Sequence, residues 1–520
     1  MKKEKKLSKW EQRRSAKKNF IPFRFIFNIL LIIIETLLVC AAVIFLTAYV
    51  DVFYFVVLII QLTVAIRIIG SEDSPEYKVP WLFFVMLLPV IGFMLYFMFY
   101  SRRLSKTQMR KIDRFISETV PKDDILELSL LESASTSAHS QANLLRNLAG
   151  VHVYGDTEIT YFDNGQKYFY SLLRELNKAE KFIFMEYFLI EKGSFWNSVL
   201  EVLTKKASSG VEVRVVYDDI GCMKTLPGDY YAKLNKLGIK CVPFFKIKGQ
   251  ANNEFNNRSH RKITVIDGKV GFTGGVNVAD EYINRTIRFG HWKDVGIMLT
   301  GNAVNELTRL FLLDYNLNDK KCDDEFFDYY VKSPSYSDGW CVPFGDGPRP
   351  VYDRYIAETA IINLLGQAKN YVYMTTPYLI IDNTLVQAIE NAALRGVDVR
   401  IITPHIPDKK MVFNITRSYY NRLIKSGVKI FEYEPGFIHA KNYLADGDTA
   451  IVGTINLDYR SLVHHFENGV WMYKTRTVAD IERDFLETQK KSIPVDETLI
   501  KQDLSQRFKT ALFKVFSPLL

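Results

Sequence analysis

Apolar residues run almost unbroken through three stretches near the N-terminus. Residues 25–50 are interrupted only by Asn28, Glu35, Thr36 and Thr47, residues 52–69 only by Gln61, Thr63 and Arg67, and residues 80–100 carry no charge. About 20 apolar residues suffice for a helix to cross a hydrocarbon core, so the pattern predicts transmembrane helices over 25–49, 51–69 and 80–100. Pro89 and Gly92 in the third are tolerated in membrane helices, and Trp81, Tyr96 and Tyr100 stand where interfacial aromatics belong. The tail before them is too long for a signal peptide and no A-x-A cleavage site follows, so these segments read as anchors. From 102 to 145 the chain is polar and helical in character, with a patch of Ser129, Ser133, Ser135, Ser137 and Ser140 that predicts a linker docking into the first domain.

Beyond the linker, amphipathic helices alternate with β-branched runs such as 213–217 and 399–403, which is an α/β pattern. The chain also repeats itself. Residues 179–189 (AEKFIFMEYFL) are answered by 368–379 (AKNYVYMTTPYL), Gly210-Val-Glu-Val-Arg214 by Gly396-Val-Asp-Val-Arg400, and Leu237-Gly-Ile-Lys240 by Ser426-Gly-Val-Lys429. Offsets near 190 residues are too long for a solenoid and imply a duplicated domain. The expected fold is therefore α/β: two pseudo-symmetric domains, 146–335 and 336–495, each with a mainly parallel or mixed central sheet, sharing one active site. A C-terminal amphipathic helix is expected over 496–520, with Phe508, Leu512, Phe513 and Phe516 on one side, lying either on a membrane or against the core.

Composition sharpens this picture. The chain has 520 residues, 48% of them hydrophobic, which excludes a disordered or low-complexity protein. Net charge is +9, but residues 1–24 hold ten Lys/Arg against two Glu and 102–114 hold six against one Asp, so the remainder is slightly acidic. Basic residues that flank apolar segments point to an anionic membrane surface and away from nucleic acid. Both basic flanks favour the cytoplasm, which requires an even number of crossings between them. Either the 25–69 stretch contains a segment that does not fully cross, or the rule fails at one end; the expectation is a multi-pass protein with its large remainder on the cytoplasmic side. Five scattered cysteines (Cys40, Cys222, Cys241, Cys322, Cys341) without a CxxC predict isolated buried thiols.

The candidate chemistry lies in a duplicated motif. His260-Arg-Lys262 is followed by Asp267 and then by Gly274-Gly275-Val-Asn277, and His439-Ala-Lys441 by Asp446 and then by Gly453-Thr454-Ile-Asn456, at identical spacing. In an extended segment residues i and i+2 share a face, so each half presents an imidazole and an ammonium side by side. Two such pairs, with Asn277 and Asn456, would make a cationic cavity suited to a phosphate and its transition state, with Gly275 and Thr454 beside it, and no metal or cofactor is required. One histidine can attack phosphorus while the other protonates the departing oxygen. Each needs an acceptor for its remote nitrogen. Asp294 and Glu467, one following the HxK strand of each half, are the candidates. Asp267 and Asp446 end their strands before a glycine and read as supporting turn residues of the site. His139, His152, His291, His405, His464 and His465 read as ordinary surface or core residues.

The pattern HxKx4Dx6G[GST]xN resembles the phospholipase D superfamily. Further stretches resemble bacterial cardiolipin synthases: Trp81…Pro89-Val-Ile-Gly92…Tyr96, Tyr217-Asp218-Asp219-Ile-Gly221, Gly436-Phe-Ile-His-Ala-Lys441 and Gly453-Thr-Ile-Asn-Leu-Asp-Tyr-Arg-Ser461. The resemblance covers nearly all of the chain after residue 50. It implies transfer of a phosphatidyl group between two phosphatidylglycerol molecules, giving cardiolipin and glycerol at a bacterial plasma membrane. It also implies that His260 is the nucleophile and His439 the acid and base. The alternative is a phospholipase D or phosphodiesterase with water as acceptor. Three departures stand out: the family's usual Asn-Phe-Glu is His465-Phe-Glu467 here, a YDxxGS-like element ends in Cys222, and residues 25–49 add an apolar segment.

Overall fold

A computed structural model describes residues 23–45, 50–100, 104–119, 125–247, 256–319, 325–496 and 504–519. Most of the basic tail, residues 1–22, and Cys322 lie outside them.

The N-terminal unit contains the helices Phe23–Phe45 and Val50–Ile69. Among the described residues Val50–Ile69 is the helix long and apolar enough to cross a membrane, and it leaves Val52, Phe55 and Ile66 exposed. The stretch 80–100, expected as one span, is instead the end of a helix Pro75–Leu87 and a second helix Pro89–Phe99. The chain reverses between them. Leu88 leaves helical geometry (φ −120°, ψ 79°), and Pro89 opens the next helix. Gly92 then comes so close to Phe84 that a Cβ would stand 1.9 Å from its carbonyl oxygen. At the open end Trp81 meets Tyr96 and Tyr100 at ring separations of 6.1 and 5.9 Å, and the Tyr100 hydroxyl donates to Ser71 Oγ at 2.8 Å. Proline explains the break: Pro89 has no N–H for the carbonyl of Val85, four residues earlier. Gln61, midway along Val50–Ile69, supplies the missing donor, its Nε2 lying 2.8 Å from Val85 O. An orphaned carbonyl in an apolar unit is thus satisfied by the one amide side chain in the facing helix.

The body holds two sheets of matching order. The first runs Thr157–Phe162, Gly296–Gly301, Val270–Gly274, Lys262–Ile266, Phe182–Tyr187, Glu212–Asp218, Lys240–Phe244. In the second, Trp340–Asp346, Glu467–Tyr473, Thr449–Gly453, Asn442–Ala445, Tyr371–Thr375, Asp398–Pro404 and Lys429–Tyr433 follow in the same positions, and Ser492–Pro494 is added at the edge. The sheets are mixed. Three strands of each are parallel, joined through helices, whereas the strands after each HxK pair antiparallel. A tight turn forces that choice, because consecutive strands joined by a short loop must run opposite ways. Asp267 and Gly268 (φ 54° and 67°) and Asp446 and Gly447 (φ 53° and 71°) form those turns with the positive φ pair that Asp-Gly favours.

The linker reads differently from expectation at its end. The expected boundary at 146 falls inside the helix Thr136–Ala149, capped by Ser135, and Gln141 Nε2 donates to Ala360 O of the second half at 3.2 Å. The linker therefore docks on both halves. Cys222, Cys241 and Cys341 are buried free thiols, while Cys40 is exposed on its helix.

Candidate active site

Each HxK segment is delivered by a backbone pairing across the two halves. The strand Gly436–Ile438, leading into His439, pairs in parallel with His291–Lys293 of the first half. Ser259, leading into His260, bridges Phe466 of the second half in the same sense. The backbone N–H groups of His260 and His439 donate to Phe466 O and Lys293 O at 2.8 and 2.7 Å. The residue after each accepting carbonyl is a carboxylate, so the orienting pairs are crossed. His260 Nδ1 lies 2.9 and 3.0 Å from the two Glu467 oxygens, and His439 Nδ1 lies 2.7 Å from Asp294 Oδ2. Asp294 and Glu467 were the expected partners, one from each half, and the structure joins each to the histidine of the other half.

The small residues of the GxxN elements make room for these carboxylates. A Cβ on Gly275 would stand 2.0 Å from Asp294 Oδ1 and 3.0 Å from His439 O. In the other half Thr454 Oγ1 and Ser461 Oγ both donate to Glu467. Gly275 and Thr454 are thus packed against or bonded to the carboxylates that orient the two imidazoles. The asparagines are likewise engaged: Asn277 Nδ2 donates to the Tyr282 hydroxyl at 2.7 Å, its Oδ1 accepts from Leu189 N–H, and Asn456 Nδ2 reaches Asp458 at 3.3 Å. Asp267 and Asp446 are not brought to the site. Each sits at the far end of its strand and accepts three backbone N–H bonds, from residues 180–182 and 369–371. Their work is to fix the start of the neighbouring parallel strand.

Lys262 and Lys441 are fully buried beside their histidines, and each Nζ donates to the carbonyl of its own histidine. Burial pushes their ammonium groups down to about 7 and about 8. Burial likewise raises Asp294 to about 6 and Glu467 to about 7. Both imidazoles are held well below their ordinary value by burial, then by the ammonium charges around them. Burial therefore disfavours the charged imidazoles, and an Nδ1–H donated to the facing carboxylate would leave the Nε2 lone pair of each ring to react, with Lys441 Nζ also 2.9 Å from His439 Nδ1.

The surroundings of the two rings differ. His439 is walled by Tyr282, Trp292 and Phe437, at ring separations of 5.4, 5.6 and 6.0 Å. His260 faces Phe188 at 5.1 Å and His465 at 5.7 Å. His465, read from sequence as an ordinary core residue, is thus a member of the site; its departure from the family's asparagine was the available signal. Phe188, Tyr282 and Trp292 were missed, because nothing in their local sequence separates a wall from a core aromatic.

Comparison with known proteins agrees with this geometry. A family model described as cardiolipin synthase, PLD-like domain, matches residues 172–287 and again 361–488, and one described as phospholipase D-nuclease N-terminal matches 59–99. A cardiolipin synthase of Oceanobacillus iheyensis is 32% identical, over 89% of this chain and 98% of its own. An uncharacterised protein of Streptococcus mutans is 42% identical, over 87% of this chain and 98% of its own. Among solved structures, a phosphatidylserine synthase of Haemophilus influenzae shares the fold at 16% identity, with a TM-score of 0.56 over 74% of this chain and 98% of that one.

Proposed function

The chain belongs to the cardiolipin synthase family of phospholipase D-like proteins, and from that premise we propose that it is a membrane-bound phosphatidyltransferase making cardiolipin from phosphatidylglycerol. The observation that carries this reading is the crossed pairing, which leaves two Nε2 atoms and two lysines to act on one phosphorus.

His260 Nε2 attacks the phosphorus of one phosphatidylglycerol, forming a P–N bond as the bond to the glycerol oxygen breaks. His439 gives that oxygen its proton, and glycerol leaves. The acid must be charged at that moment, although the ammonium field opposes it. The phosphodiester anion cancels part of this field, so substrate binding raises the imidazole's proton affinity when it is needed. His439 then takes the proton from a hydroxyl of the second phosphatidylglycerol, whose oxygen displaces His260 from phosphorus. Glu467 and Asp294 keep both rings in the reactive tautomer. Lys262 and Lys441 stabilise the charge gained in each transition state.

The helix lengths support the following membrane arrangement. At 1.5 Å per residue Val50–Ile69, the described helix long and apolar enough to cross, measures about 30 Å; Phe23–Phe45, at about 34 Å, is proposed as a second crossing on its length, whereas Pro89–Phe99 reaches about 16 Å. Two crossings and a re-entrant hairpin make the count between the basic flanks even, so both flanks and the body lie on the cytoplasmic face of the plasma membrane. In this arrangement the segment that does not cross is 80–100. The helix Leu504–Phe516 turns Phe508, Leu512 and Phe513 outward, an apolar face for the same lipid surface.

The test is to incubate the purified, detergent-solubilised protein with radiolabelled phosphatidylglycerol in metal-free buffer and resolve the products. Cardiolipin and glycerol in equal amounts are expected. Phosphatidic acid without cardiolipin would mean that water accepts the phosphatidyl group, and the protein would be a hydrolase.

A further inference from the structure

The pseudo-symmetry sets Trp292 and His465 in equivalent places, each two residues before the carboxylate that orients a catalytic imidazole. Trp292 lies 5.6 Å from His439 with the rings at 44°, and His465 lies 5.7 Å from His260 at 39°. One half therefore carries a donor-only indole where the other carries a second imidazole. His465 is 8% exposed, and its Nε2 is buried without a hydrogen-bond partner. Its Nδ1 stands 3.9 Å from Glu467 Oε1, too far to share a proton, while His260 Nδ1 is 2.9 Å from that oxygen. One donor atom from each of His260, His465 and Glu467 falls within 4.8 Å of the others. Ligands at about 2.0–2.1 Å from a tetrahedral zinc are about 3.3 Å apart, so shifts of about 1–1.5 Å would close these three on one ion.

We propose that His260, His465 and Glu467 form a binding site for a divalent transition-metal ion of the zinc type, and that the ion shuts the enzyme off by tying up the nucleophilic imidazole together with the carboxylate that orients it. Two imidazoles and one carboxylate are a donor set for Zn²⁺ or Co²⁺ and a poor one for Mg²⁺ or Ca²⁺, which take oxygen ligands. Three protein ligands leave a fourth position open to water. Glu467 and Asp294 together offset Lys262 and Lys441, leaving no net negative charge to hold a dication, so the site takes its metal reversibly, as an inhibitor and not as a resident cofactor. The indole of Trp292 cannot ligate, so each chain takes one ion. Metal binding stands apart from the lipid chemistry; the loss of turnover rests on the proposed phosphatidyl transfer.

The full-length protein in detergent is titrated with Co²⁺ alone, following the visible absorption of tetrahedral cobalt. Saturation at one equivalent is expected, with displacement by Zn²⁺ but not Mg²⁺. His465→Asn should weaken binding at least tenfold, and His464→Asn, the adjacent control, should leave it unchanged. In parallel, Zn²⁺ should protect His260 of the unmutated protein from diethylpyrocarbonate, which keeps the test decisive if a variant misfolds. No saturable cobalt signal, or binding that His465→Asn leaves intact, would overturn the site. A protein that binds one Co²⁺ through His465 yet makes no cardiolipin would sink the proposed function and keep this inference. The converse result would do the opposite.

Discussion

In the first half, the strand presenting His260 is flanked by buried charge. Arg258 pairs with Asp218 at 2.9 Å, Arg261 with Asp314 at 2.7 Å, and Ser259 Oγ donates to Glu186 at 2.5 Å. In the second half the same positions around His439 are Phe437, Ile438 and Ala440, all buried in apolar surroundings. Both strands nonetheless put an imidazole against a carboxylate from across the molecule. What the two halves share is the backbone pairing between each HxK segment and the opposite carboxylate strand; what differs is the packing behind it. The reactive geometry is therefore set by main-chain hydrogen bonds, while the flanking side chains decide how each strand is anchored and what each ring faces.

Removing either reactive group should erase the difference between the halves. His260→Ala and His439→Ala are each expected to lower phosphatidyl transfer about 10³-fold or more, and the double variant should be no worse than the singles. Full activity in either would break the two-histidine account. Arg261→Met separates the halves next. It strands Asp314, already raised by burial, without its cation, and should cost about 3–5 kcal/mol in a denaturation midpoint measurement. Ala440→Ser, the equivalent place in the apolar half, should cost about 1 kcal/mol.

The crossed pairing has its own signature. Glu467→Gln should slow transfer about 10²–10³-fold through loss of the tautomer-fixing acceptor, and it should alter the diethylpyrocarbonate reactivity of His260 and not that of His439. Asp294→Asn should do the reverse. The smallest expected effect lies in the pH profile of kcat/KM. Turnover should peak near 7, falling on the acid side as Glu467 (about 7) and then Asp294 (about 6) take up protons, and on the basic side as Lys262 (about 7) and then Lys441 (about 8) lose theirs. Thr454→Val removes a hydrogen bond that favours the Glu467 anion, so that carboxylate's proton affinity rises and the acid limb moves to higher pH.

The duplication, the α/β halves, the HxK pairs and the two carboxylates were legible in sequence because each is a local pattern or a repeat of one. Asp267 and Asp446 were legible as turn residues for the same reason, since Asp-Gly after a strand is a turn. The crossing of Glu467 to His260 was not, because it depends on a strand pairing between residues 207 apart. The Asn277 bonds to Tyr282 and Leu189 were not legible either, because spacing alone does not reveal them. The hairpin at Leu88 was hidden by composition: 80–100 is as apolar as a span, and Pro89 is decisive only because Gln61 stands ready to accept the consequence. His465 was read as a core residue because a lone histidine ordinarily is one; its departure from the family's asparagine was the sequence signal, and the ring of His260 beside it gives it its place.

The measurement that tests the division of labour most directly uses a phosphatidyl p-nitrophenol carrying labelled phosphorus, whose leaving group needs no acid. His439→Ala should release one equivalent of p-nitrophenol per chain in a burst and retain the label on the peptide containing His260. Label on His439 in the His260→Ala protein, with none on His260 in the other, would reverse the roles, and no covalent label in either variant would contradict the phosphohistidine account altogether.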